Sequence, residues 1–262
     1  MGEMVMFSFR NFISKFRHYF RFNKSEIEAS VISVLVLAFI VSFGEWGAGD
    51  AFDFNVGLIN LFESIIIVGI VLGSHLIVIK LIALYWGYRA EFKLWWYGLL
   101  TGLGLAFFSA SLTGSVGHPF VLWVLAPGGI FFHHMSVHRL GWFRYGVNMI
   151  ETGLCCMWGS LSTVFLALFF KILLVVFPGS LFFYKGMVVS LWFAFFSILP
   201  IPPLNGSRLF FYSRATYAFV FGSILGATFL IISNLNIFLI ILLSLVVGVI
   251  IWVLHLWKVE AV

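Results

Sequence analysis

One stretch constrains this chain more than any other. From about Val56 to Tyr85 the sequence is almost continuously apolar, yet it carries His75 and Lys80 before turning polar and aromatic at Tyr88, Arg89 and Glu91. A helix of about thirty residues at about 1.5 Å per residue outreaches a hydrocarbon core of roughly 30 Å, so it must tilt or project beyond the bilayer. A histidine or lysine at that depth is costly unless it is paired, neutral or able to reach the interface, which makes both residues candidates for function. Position 79 shares a helix face with His75, whereas Lys80 lies further round and close enough to the end for its ammonium to snorkel.

Composition places the run in a membrane rather than in the core of a soluble protein. The 262 residues are 62% hydrophobic and only 10% charged, against roughly half and a quarter in soluble domains. The expected fold class is therefore an all-α polytopic membrane protein with six to eight membrane segments. A polar segment precedes the first apolar run near Ile27, and no small-residue cleavage site follows it, so that run is expected to stay as the first span. Residues 1–26 are expected to form a cytoplasmic, interfacial amphipathic segment, and residues 27–262 a single transmembrane domain.

Arg10, Lys15, Arg17, Arg21 and Lys24 precede the first span, and Glu45, Asp50 and Asp53 follow it. The positive-inside rule then puts the N-terminus in the cytoplasm, and an even number of crossings returns the C-terminus there. The expected location is the cell membrane, multi-pass. Phe7, Phe9, Phe12, Phe16, Tyr19 and Phe20 interleave with the basic residues mostly at spacings of three or four, as in a short helix lying in the interface. An irregular tail is the alternative. The lipid bilayer explains this basic segment as a partner without nucleic acid.

Further along, Arg89, Glu91 and Lys93 with Trp86, Trp95, Trp96 and Tyr97 form an interfacial shelf, whose alternation also fits a short extended strand. Leu99–Ala110 and Phe120–Phe132 are apolar but short, and Pro127, Gly128 and Gly129 interrupt the second. A re-entrant or short β hairpin competes there with two short spans. His133, His134 and His138 invite a metal reading, but their spacing lacks an intervening acid, and a solvated loop beside Arg139 and Arg144 suits them better. Thr152–Phe177 reads as a span whose Gly153, Gly159, Ser160, Ser162 and Thr163 permit close helix contact. The adjacent Cys155 and Cys156 within it read as small buried side chains. Met187–Leu199 returns, and Pro200, Pro202 and Pro203 break the helix so that Asn205 and Gly206 can point inward. Thr216–Ile232 and Ile237–Trp257 make a final pair.

The order of these pieces resembles the site-2 protease family of intramembrane zinc metalloproteases, especially its compact archaeal-type members. In that family one transmembrane helix carries H-E-x-x-H, and a later span carries a proline-containing loop ending in D-G, whose aspartate is the third zinc ligand. The first motif falls on His75-Leu76-Ile77-Val78-Ile79 and the second on the run Leu199 to Arg208. Ala126-Pro127-Gly128-Gly129 resembles the archaeal A-P-G-A segment, and Asn148 to Phe169 sits where those proteins have an asparagine–glycine stretch before a helix. The resemblance covers roughly residues 25 to 215.

The departures govern what the resemblance implies. Leu76 stands for the catalytic glutamate, Ile79 for the second histidine and Asn205 for the aspartate, while His75 and Gly206 keep their places. A catalytic zinc needs three protein ligands and an open position, and the glutamate serves as base for the metal-bound water. The expectation is accordingly no catalytic residue, no metal and no cofactor. His75 is expected to pair with Asn205, or with the broken backbone near Pro202 and Pro203, as a polar staple. The expected function is that of a catalytically inactive accessory or structural subunit of a hetero-oligomeric membrane protein complex. The alternatives are a protease with a metal site relocated to Glu63, His118, His133, His134 or His138, and a small-solute or ion transporter using the His75 and Lys80 region.

Overall fold

The computed structural model describes residues 16–17, 19–48, 51–113, 121–134, 147–233 and 235–260. Helix α1 (Lys24–Ser42) starts after Asn23, where Glu26 reaches back to accept from the Asn23 backbone N–H at 3.4 Å, a capping arrangement that satisfies one of the orphan donors. A single 3₁₀ turn, Phe43–Glu45, leads to a minimal hairpin of β1 (Gly47–Ala48) and β2 (Ala51–Phe52). Asp53 then caps α2 (Phe54–Trp86) by accepting from the N–H groups of Asn55 and Val56. The helix runs 33 residues, about 50 Å. It stops at Gly87, whose φ of 84° is a left-handed conformation that a side chain would strain.

Strand β3 (Tyr88–Leu94) follows immediately and pairs antiparallel with β4 (Gly128–His134), in a register running from Tyr88 opposite His134 to Leu94 opposite Gly128. Between them lies α3 (Trp96–Thr113). The rest is helical: α4 (Met149–Val176), α5 (Leu181–Ser197), the short α6 (Asn205–Tyr212), α7 (Arg214–Ile231) and α8 (Ile237–His255). Among the described residues, five helices are long and apolar enough to cross a membrane, those containing α1, α2, α4, α7 and α8, and α5 is a shorter apolar helix. The chain is thus a helical, multi-pass membrane protein with a small β element.

The largest core gathers Leu37 and Ile40 of α1, Ile67, Leu72 and Ile79 of α2, Tyr88 and Phe92 of β3, Leu125, Cys155 and Cys156 of α4, and Phe193 of α5. The two cysteines are free and buried. Helix α8 is peripheral: it buries only Ile240, Ser244 and Gly248. That small-residue stripe lets it approach α7 closely enough that a Cβ on Gly222 would lie 3.0 Å from the Gly248 Cα.

Two expectations change in the light of this architecture. The run Phe120–Phe132 is not a membrane span over its described part: residues 121–127 are irregular and residues 128–132 belong to β4. Proline and two glycines deny it a helix, and β3 offers the backbone partners it needs. The extended-strand reading of the Arg89–Lys93 shelf holds. Lys80 does not snorkel; its side chain is 8% exposed and its Nζ lies 2.7 Å from Glu26 Oε2. The expected interfacial segment falls mostly on residues 1–15, outside the described residues, as do His118, His138, Arg139 and Arg144.

Candidate functional site

Helices α2 and α5, the sheet and the proline-rich loop before α6 converge on a narrow cleft. Its walls include Leu72 and His75 of α2, Phe92 and Ile130 of the sheet, Phe193 and Ser197 of α5, and Asn205 at the start of α6. The space left within it holds about one water molecule. His75 and Asn205 are both buried, at 4% and 3% exposure.

The hydrogen bonds specify how the imidazole is used. His75 Nδ1 lies 2.8 Å from the carbonyl oxygen of Gly159. A carbonyl only accepts, so Nδ1 carries the proton and Nε2 of the neutral ring presents its lone pair. Asn205 Nδ2 donates to that lone pair at 2.7 Å. The Asn205 Oδ1 is left buried with no partner among the described residues. Phe193 closes the site edge-on to the imidazole, with ring centroids 5.1 Å apart.

Local sequence makes this geometry possible. Gly159 brings α4 against α2 so closely that a Cβ there would lie 2.4 Å from the Ile79 side chain and 3.3 Å from His75 Cε1. Gly206 does the same for α6, where a Cβ would lie 1.8 Å from the Ile198 carbonyl oxygen. The prolyl loop therefore folds back on the end of α5 and aims Asn205 at α2. Leu76 and Ile79, one residue and one turn beyond His75, are buried among apolar neighbours at 3% and 0% exposure.

A catalytic zinc does not fit these residues. The His75 lone pair that would ligate it is already engaged by an amide N–H, and the positions one residue and one turn away offer only hydrocarbon. Among the described residues, no group of three or more His, Cys, Asp or Glu side chains is placed to hold a metal ion. His133 and His134 sit at the end of β4 opposite Arg89 and Tyr88, and His133 Nε2 lies 3.7 Å from Glu91 on the outer face of the sheet.

A second buried polar centre lies one turn further along α2. Lys80 Nζ donates to Glu26 Oε2 at 2.7 Å and to the Arg21 carbonyl at 3.1 Å, and sits 4.0 Å from the centroid of Phe22. Glu26 Oε1 accepts from the backbone N–H of Phe92 at 3.1 Å, while Asn23 donates to Glu91 at 2.9 Å. This network straps the segment before α1 to β3, and Phe92 carries it to the wall of the cleft. The sequence reading missed Glu26. The available signal was an acid at the start of one span, level with a lysine at the end of the next antiparallel one.

Comparison with known proteins gives one informative match. The chain is 29% identical over 206 residues to a protein of Methanocaldococcus jannaschii whose name describes it, provisionally, as a zinc metalloprotease; the match covers 77% of this chain and 91% of that protein. The relation is distant, at the level of a family or superfamily. No family model matches the chain, and no solved structure matches it.

Proposed function

We propose that this protein is a catalytically inactive member of the site-2 protease group, acting as an accessory or structural subunit of a membrane protein complex. The observation that carries the reading is the use of His75: its metal-binding lone pair accepts an N–H from Asn205, where a ligand aspartate would stand in an active enzyme. Leu76 can neither take nor give a proton, and Ile79 has no lone pair, so the residues beside His75 supply neither a base nor a second ligand. The distant metalloprotease relative supports the scaffold. What the chain retains is a hydrogen-bonded joint between α2, α4 and α6, and a protein that keeps such a joint without the chemistry acts by binding.

Restoring the missing groups tests this. The triple substitution Leu76→Glu, Ile79→His, Asn205→Asp in the purified full-length protein is expected to acquire zinc near one equivalent, measured by elemental analysis, whereas the unmodified chain retains none after dialysis against a mild chelator. Stoichiometric zinc in the unmodified chain, together with cleavage of a transmembrane peptide, overturns the proposal. The role as a subunit has its own test: extraction in a gentle detergent should yield the chain in a fixed ratio with another membrane protein, and a consistently solitary chain would sink it.

A further inference from the structure

The outer face of sheet β3–β4 is chemically uneven. Around Glu91 the charges are matched: its carboxylate faces Arg89 at 3.2 Å, His133 at 3.7 Å and the Asn23 amide. Around Phe131, directly across the sheet from Glu91, they are not. Lys93 Nζ lies 4.7 Å from the Phe131 ring centroid, and the Arg208 guanidinium lies 5.8 Å from the same ring and 5.3 Å from Phe132. Among the described residues, neither cation has a carboxylate within ion-pair distance.

Three elements hold this pair of charges in place. Lys93 projects from β3, Phe131 from β4, and Arg208 from the first turns of α6, just beyond Asn205 and Gly206. The prolyl loop packs directly on the sheet, since a Cβ on Gly129 would lie 2.1 Å from the Pro203 carbonyl oxygen. Lys93 and Arg208 are therefore held against one aromatic ring at a packed joint rather than wandering on a loose surface. The ring holds both cations by the attraction of its π electrons, which fixes position without neutralising charge.

The surroundings say where such a site sits. Trp86 and Trp96 are 37% and 55% exposed, Tyr85 and Tyr97 59% and 75%. These bracket β3 in sequence and form the amphipathic belt that residues of this kind make at a membrane–water boundary. The same end of the bundle carries the start of α1. Two cations at headgroup level without a carboxylate in ion-pair contact match a phosphodiester, with the guanidinium supplying a planar fork and the ammonium a point charge.

We propose that Lys93 and Arg208, floored by Phe131, form a binding site for the phosphate of an anionic glycerophospholipid, on the outer face of the sheet that walls the cleft. Lipid bound there ties β3, β4 and α6 together and holds the wall of the cleft against α6. Each basic residue near a lipid surface changes affinity roughly five-fold.

The test uses purified full-length protein, with phosphatidylglycerol and phosphatidylcholine as probes and bound lipid counted by native mass spectrometry. The unmodified chain is expected to retain phosphatidylglycerol in preference to phosphatidylcholine. In Lys93→Gln with Arg208→Gln, affinity for phosphatidylglycerol should fall about 25-fold, whereas Lys93→Arg with Arg208→Lys keeps it. Retention of phosphatidylcholine should be the same in both variants, which separates loss of the site from loss of the fold. The proposal is overturned by equal phosphatidylglycerol retention in the Lys93→Gln and Arg208→Gln variant, by an equal loss of phosphatidylcholine, or by displacement of the lipid with millimolar inorganic phosphate, which would make the site one for a soluble anion. Should the double variant fail to fold, the two single glutamine variants carry the same test, each at about a five-fold loss.

Discussion

Two polar centres one turn apart on the same helix solve the problem of burial in different ways. At Lys80 the charge is kept and surrounded: a carboxylate, a carbonyl and an aromatic face all meet the ammonium, and Glu26 in turn holds a backbone N–H of β3. At His75 the ring is neutral, each nitrogen has one partner, and one amide oxygen is left over. A buried ion pair contributes little net stability when intact but leaves a heavy penalty when halved. A neutral pair costs less to break, and its breaking frees a lone pair that could bind a metal. The difference locates structural necessity at Lys80 and chemical potential at His75.

The largest effect that would break this contrast is removal of half the ion pair. Lys80→Met is expected to destabilise the protein by about 3–5 kcal/mol, because Glu26 is then buried without its counter-charge. Adding Glu26→Gln should restore much of the loss, read from thermal unfolding in detergent as a double-mutant cycle. If Lys80→Met is silent, the ammonium is solvated and the contrast fails.

Asn205→Leu should cost about 1–3 kcal/mol by leaving the buried His75 Nε2 without its donor, a smaller loss than Lys80→Met in the same assay. Pairing it with His75→Phe removes both partners and should recover part of the loss. An effect of Asn205→Leu exceeding that of Lys80→Met would reverse the ranking of the two centres.

Gly159→Ala sharpens the comparison by separating packing from polarity. The added Cβ meets Ile79 at 2.4 Å, so a loss of about 1–3 kcal/mol is expected from overpacking alone. Ile79→Ala in the same chain should relieve it, and a failure to relieve it would mean that the Gly159 carbonyl's bond to His75 had been lost instead. Smallest of all is Glu91→Gln, whose partly exposed pair with Arg89 should be worth less than about 1 kcal/mol; amide exchange across β3 and β4 is the suitable readout.

Much of the helical plan was legible in the chain because membrane burial imposes long apolar runs, and a run such as Phe54–Trp86 has few alternatives. The strand at Gly128–His134 was harder. An apolar segment too short for a span reads equally as a re-entrant hairpin or a strand, and only the pairing with Tyr88–Leu94 separates them. Lys80 shows the same limit: hydropathy gives its depth but not its partner. The sequence reading relied on the length of the lysine stem, whereas the fold supplied Glu26 within hydrogen-bond reach.

The amino-acid sequence by itself determined that this protein lives in a bilayer and where its helices break, since apolar length and proline act locally and leave a readable mark. It also put Leu76, Ile79 and Asn205 where a metalloprotease-like motif has its base and ligands. Tertiary structure alone decided that Nδ1 of His75 faces Gly159, that Asn205 fills the other lone pair, and that Lys93 and Arg208 share the ring of Phe131. These depend on contacts between residues far apart in the chain, whose distances follow from how helices and strands pack and from nothing written in any single segment.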